Sequence, residues 1–144
     1  MTVGKYEVVK HLASGGMAEI YLARVATLPG LQKLVVLKRI LPELASRDDI
    51  VQMFLDEAQI ATLLDHPNVV QTFDAGVADG KPFLAMEYLH GESVSALGAA
   101  LGRSEPLAIE HALAIVIGVC AGLHYAHEKV GLVGRSQSVD MRRS

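Results

Sequence analysis

Apolar residues over the first ninety positions fall into short β-rich runs divided by turn residues, and twice the pattern changes to a helical period. Tyr6-Glu7-Val8-Val9-Lys10-His11-Leu12 reads as a first strand, and Ser14-Gly15-Gly16 supplies turn chemistry after it. A return strand fits 19–25, and beyond a Pro29-Gly30 loop a third strand fits 34–40, its apolar run interrupted by Lys38. Ser46 with Asp49 three residues on resembles a capping box ahead of a helix running to about Leu64. Ile50, Phe54, Ala58 and Ala61 recur on one face of that helix, with Glu57 on its flank. His66-Pro67-Asn68 closes it, because proline disfavours helix in the residue before it.

Strands over 69–74 and 82–88 follow, with Asp79-Gly80 as a hairpin signal between them. A short helix fits 92–101, and Pro106 suits the start of the next segment. Ile109, Ala112, Leu113, Val116, Val119, Cys120 and Leu123 then follow helical spacing in a run so apolar that it calls for burial on several sides. From Val130 to Ser144 periodicity stops, and an irregular tail is expected.

Composition narrows the class. Apolar residues make up 51% of the 144 and charged ones 20%, which is the balance of an ordinary globular domain rather than of a disordered or fibrous chain. A net charge of −3 gives no basic footprint for nucleic acid or anionic membrane, so neither is an expected partner. The single cysteine, Cys120, excludes an intrachain disulfide, and a reducing cytoplasm is the expected compartment. The apolar run Ala112 to Leu123 is too short to cross ~30 Å of hydrocarbon, which leaves a soluble protein as the expectation.

Taken singly, the polar signals are bland. A Gly-Gly turn between strands serves a hairpin, a strand lysine can guard an edge, and a helical glutamate is ordinary surface. His124, His127 and Glu128 have helical spacing, but no further ligand is obvious, so no metal is expected. Together, a glycine hairpin, a strand lysine and a helical glutamate in one small domain form an arrangement that can hold a nucleoside triphosphate. Glycine amides approach phosphate oxygens without side-chain obstruction, an ammonium supplies a point charge, and a facing carboxylate fixes where that charge sits.

In this order the motifs resemble the protein kinase superfamily, in particular the eukaryotic-like Ser/Thr kinases of bacteria. Leu12-Ala13-Ser14-Gly15-Gly16-Met17-Ala18-Glu19-Ile20 stands where that family has its glycine-rich loop, and Val35-Val36-Leu37-Lys38 where it has V-A-I-K. Glu57 stands at the αC glutamate, His66-Pro67-Asn68-Val69-Val70 at the junction behind αC, Ala85-Met86-Glu87-Tyr88-Leu89 at the hinge, and Gly122 to His127 at the end of αE. The resemblance implies an α+β fold: a kinase-like small lobe with a five-stranded antiparallel sheet and helix αC, plus the first helices of the large lobe. It implies a partial kinase domain over 1–129, with the small lobe and hinge at about 6–89 and the start of the large lobe at 90–129.

It further implies that Lys38 takes the α- and β-phosphates of ATP with Glu57 as its ion-pair partner. Leu12, Ile20 and Val36 would sandwich adenine, Met86 would be the gatekeeper, and the backbone of Glu87 and Leu89 would bond the base. The chain departs from the family in three ways. Ala13 and Ala18 replace the first and third loop glycines, bringing methyls near the phosphates, and Val36 replaces the usual alanine. Neither H-R-D nor D-F-G, whose Asp and Asn residues orient the acceptor hydroxyl and hold magnesium, occurs in the 144 residues. No catalytic residue is therefore assigned, Mg2+ is expected only in a complete kinase, and the 144 residues alone are expected to be inactive. The alternatives are a pseudokinase-like nucleotide-binding module, paired with another kinase or regulator through an exposed αE surface, or a fragment of a disrupted gene.

Overall fold

The computed structural model describes residues 1–102 and 107–140. The chain divides into two units, Met1–Asp65 with Val70–Tyr88, and His66–Val69 with the chain from Leu89 onward.

The first unit is built on one antiparallel sheet. Its strands are β1 (Thr2–Val3), β2 (Tyr6–Ser14), β3 (Ala18–Leu28), β4 (Leu31–Ile40), β5 (Thr72–Ala78) and β6 (Lys81–Glu87), in the order β1-β2-β3-β4-β6-β5. The sheet thus has six strands where the sequence pattern gave five. The additional strand β1 is two residues long and carries no period, but Val3 is wholly buried and pairs with Tyr6. Gly4, at φ +55°, opens the two-residue loop between them, a position where a side chain is disfavoured. Asp79 and Gly80 both have positive φ, 52° and 71°, as a tight β5–β6 hairpin needs.

Alternation along the strands sorts the core into two layers. Val35 and Leu37 of β4 join Phe83 and Ala85 of β6, with Val3, Tyr6 and Ala23, on one face. On the other face, Ile40 and Leu84 join Ala18 and pack with Phe54 and Ala58 of helix α1 (Asp48–Leu63). Strand β6 is therefore buried on both sides over Pro82-Phe83-Leu84-Ala85, which accounts for its unbroken apolar run. The expected capping box before α1 does not form. Arg47 occupies the N-cap position without a side-chain cap bond, and its guanidinium holds the Asp49 carboxylate at 2.6 Å. Asp48 and Asp49 still place negative charge in the first turn, where the helix dipole favours it.

In the second unit, α2 (Val94–Leu101) starts at Ser93, whose hydroxyl accepts the Ala96 amide hydrogen at 3.1 Å, and stops at Gly102 with φ +75°. Pro106 lies outside the described residues. Helix α3 runs Ile109–Asp140 and meets the segment 66–69 through Gly118 and Gly122. A Cβ on Gly122 would stand 2.8 Å from the Asn68 carbonyl oxygen, so only glycine permits this approach. Three residues on, Tyr125 stacks on His66 with ring centres 5.0 Å apart.

Three expectations for this region are corrected. The irregular tail expected from 130 is helical backbone through Asp140; the stretch has no proline, and extending an existing helix is far easier than nucleating one even past Gly131 and Gly134. Residues 141–144 lie outside the described residues. The span Ile109–Lys129 is 21 residues with a hydropathy of 1.5, long and apolar enough by length and composition to cross a membrane, because the helix continues through polar residues that flank the run read from sequence. Nor is the apolar helix buried on several sides: Leu113, Val116, Ile117, Val119 and Leu123 are each more than half exposed.

Candidate functional site

Strand register carries the site. Lys38 on β4 is opposite Ile20 on β3 and Leu84 on β6, while Val36, two residues earlier, is opposite Leu22 and Met86. A two-residue period puts Ile20, Leu22, Val36, Lys38, Leu84 and Met86 on one face of three neighbouring strands. The polar member of this apolar row is Lys38. Its ammonium meets the Glu57 carboxylate of α1 at 2.5 Å, and the ring of Phe54, one helical turn before Glu57, lies 5.8 Å from it.

Phe54 is 1% exposed and locks α1 onto Ile40 and Leu84, so the helix presents Glu57 from a fixed base. The pair itself stays open, with the Lys38 side chain 22% exposed and that of Glu57 48%. The sequence pattern identified Phe54 as core but not as a neighbour of the lysine; the spacing i, i+3 to Glu57 carried that signal.

The β2–β3 turn closes with the Gly15 amide donating to the Ala18 carbonyl at 2.8 Å. Gly15 and Gly16 do not use positive φ, and a Cβ at Gly16 would have no neighbour within 4 Å, so what glycine provides here is open space. Ala13 and Ser14 are exposed, Met17 is partly buried, and Leu12 falls in the bulge between the pairs His11–Tyr21 and Ala13–Ile20. Two members of the expected loop set point elsewhere. The Ala18 methyl is absorbed into the core with Ile40 and Phe54 rather than left near the loop, because Ala18 pairs with Ile40 beneath α1. Glu19 is one residue out of phase with Ile20 and accepts the Tyr21 hydroxyl hydrogen at 2.6 Å. That bond, with some burial, holds the Tyr21 phenol above its usual pKa.

At the end of β6, Met86 packs against the α1 core layer. The Glu87 amide donates to the Gln71 carbonyl at 2.9 Å, and the Glu87 carboxylate accepts the Gln71 amide hydrogen at 2.7 Å. This two-way clasp had no sequence signal, since either residue alone is ordinary surface. Leu89 belongs to the second unit and is exposed there. Among the described residues no group of three or more His, Cys, Asp or Glu side chains is placed to hold a metal.

The site combines a fixed ammonium, an apolar strip beside it and a side-chain-free turn, which suits a ligand with a flat apolar part and an anionic part. The protein kinase domain family matches residues 6–133. The chain belongs to the protein kinase family. Among curated kinases, it is 42% identical over 139 residues to the tyrosine-protein kinase MasK of Myxococcus xanthus, matching 94% of this chain and 21% of that protein. It is 35% identical over 136 residues to the serine/threonine-protein kinase PknI of Mycobacterium tuberculosis, matching 94% of this chain and 22% of that protein.

The crystal structure of the Mycobacterium tuberculosis PknI kinase domain superposes with a TM-score of 0.72 at 32% identity, over 89% of this chain and 50% of that one. This kinase chain thus spans about a fifth of those curated relatives (21% and 22%) and half of the solved domain (50%). The α+β, kinase-like architecture inferred from the sequence is the one observed.

Proposed function

We propose that these residues form the ATP-binding part of a Ser/Thr protein kinase, with Lys38 holding the α- and β-phosphates and Glu57 fixing Lys38. The observation that carries this reading is the Lys38–Glu57 ion pair at 2.5 Å, set at the end of the apolar strip Ile20, Val36 and Met86. An adenine ring would lie along that strip, and the phosphates would approach the open Gly16. Glu87, whose amide is committed to Gln71, would offer the base its carbonyl. In a complete domain Mg2+ would supply charge that offsets the phosphates; here the chain's own contribution is to bind and orient the nucleotide.

The 144 residues contain no H-R-D or D-F-G sequence, and we propose that they bind ATP without transferring its γ-phosphoryl group. Serine or threonine is the proposed acceptor class, by the PknI likeness; the MasK likeness favours tyrosine as the second reading. We take α3 as a helix of the kinase fold rather than a membrane span, a reading supported by the superposition over 89% of the chain, and propose a cytoplasmic location.

Calorimetric titration with ATP tests the reading. Saturable binding that Lys38→Met weakens at least about tenfold supports it, and absence of heat at millimolar ATP overturns it. Incubation with labelled ATP, Mg2+ and a general protein acceptor tests the second half; Lys38-dependent labelling by the purified chain would refute inactivity.

A further inference from the structure

A second concavity opens on the face of the sheet opposite Lys38. Val25 on β3 and Val35 on β4 belong to the layer of Tyr6 and Phe83, one residue out of phase with Val36 and Lys38. They line a cavity of 320 Å³ whose rim carries Lys5, Lys33, Phe73 and Asp74. That volume lies at the lower end of the ~300–1,000 Å³ usual for small-molecule sites. Two register breaks shape it. Phe73 stands in the bulge between the pairs Thr72–Met86 and Asp74–Ala85, and a second break in β3 falls between Ala26 and Leu28. Bulges re-aim side chains, and both of these turn residues into the cavity wall.

The charges on the rim are unequal in occupation. Asp74 already has partners, its Oδ2 accepting from Lys5 at 2.8 Å and from the Tyr6 hydroxyl at 2.9 Å. Lys33 forms no ion pair among the described residues; its ammonium lies 3.6 Å from the centre of the Phe73 ring. A ring face satisfies the charge of an ammonium but not its three N–H donors. With Lys5 and Lys33 against Asp74, the rim carries one net positive charge above an apolar floor. A monoanion matches that single net charge, which a phosphate dianion would exceed.

We propose that this cavity is a binding site for a compact aromatic monocarboxylate, its ring against Val25, Val35 and Phe73 and its carboxylate on the Lys33 ammonium. The site is separate from the nucleotide reading and stands if that reading fails.

Ligand-observed saturation-transfer NMR on the full chain, with 2-naphthoate as the probe and the neutral 2-naphthamide as its isostere, tests it. Naphthoate should bind saturably, and Lys33→Met should weaken it about tenfold or more, the worth of one charge-assisted hydrogen bond. Naphthamide should bind weakly and be indifferent to Lys33→Met. Val25→Trp, which fills the cavity, should remove both. Saturating ATP and Lys38→Met should leave naphthoate binding unchanged, since both act on the other face. Equal affinity of acid and amide, indifference of naphthoate to Lys33→Met, displacement by ATP, or no saturation below about 10 mM overturns the proposal.

Discussion

Replacing Glu57 by Gln separates an ion pair that holds the fold from one that holds a ligand. With side-chain exposures of 22% for Lys38 and 48% for Glu57, solvent screens the pair. Such a pair contributes about 0–1 kcal/mol to stability. In a domain of this size that corresponds to a melting shift of roughly 2–4 °C at most. Phe54 and Ala58 hold α1 to the sheet without Glu57, so the helix should stay in place. The effect on ATP is larger. An unrestrained lysine gives up about 1.5–2 kcal/mol of rotamer freedom when a ligand fixes it, a loss that Glu57 now takes in advance. At about 1.4 kcal/mol per decade, Glu57→Gln should weaken ATP roughly tenfold. Lys38→Met, which removes the charge-assisted bond itself, should cost about 1.5–3 kcal/mol, or ten- to a hundredfold and slightly more. Calorimetry with ATP and thermal melts on the same samples read both quantities. A Glu57→Gln protein that melts more than about 8 °C lower yet binds ATP within twofold of the parent would refute the reasoning, since the pair would then be structural.

Other perturbations address the frame around the site. Phe54→Ala, at a side chain only 1% exposed, should lose about 3–5 kcal/mol in urea denaturation, and a loss under about 1 kcal/mol would mean α1 is not anchored there. Gly122→Ala should destabilise by about 1–3 kcal/mol, because its Cβ meets the Asn68 carbonyl at 2.8 Å, whereas an unobstructed helical Gly→Ala gains up to about 1 kcal/mol; helicity followed by circular dichroism in denaturant gives the sign. Lys5 and, after burial's opposing effect, the Tyr6 hydroxyl hold the Asp74 carboxyl below its usual pKa. A depressed folded-state pKa stabilises above the unfolded value of about 3.9 and is lost as pH falls through the folded value. Asp74→Asn should therefore flatten part of the stability loss below about pH 4, with Glu7 and Asp49, also depressed by arginine partners, accounting for the rest. Denaturation midpoints at pH 3 to 6 for parent and variant measure this; parallel curves would contradict it.

What the sequence revealed tracks how local each determinant is. The β2–β3–β4 meander and α1 were readable because alternation, turn residues and a 3.6-residue stripe are written in adjacent positions. Lys38 and Glu57 were paired from family order alone, as nothing local to either names the other across nineteen positions. The Gln71–Glu87 clasp, the inward turn of the Ala18 methyl and the Tyr21–Glu19 bond depend on register, which no run of residues states by itself. The capping box failed because its motif ignores competitors, and Arg47 took the Asp49 carboxylate first. The helical backbone past 130 was missed because periodicity reports a packing face, and a helix can continue without one.

The placement of β4 also has a consequence in time. One neighbour, β3, is joined to it by a tight turn, but the other, β6, arrives only after the chain has laid down α1 and β5. Hairpins close in microseconds, while pairings between distant segments wait on the entropy of a larger loop. Lys38 therefore has Ile20 beside it early and acquires Leu84 and Glu57 only as the long connection closes. The complete Lys38–Glu57 corner is then a product of the late, non-local stage of folding, and its presence certifies that the earlier stages have succeeded.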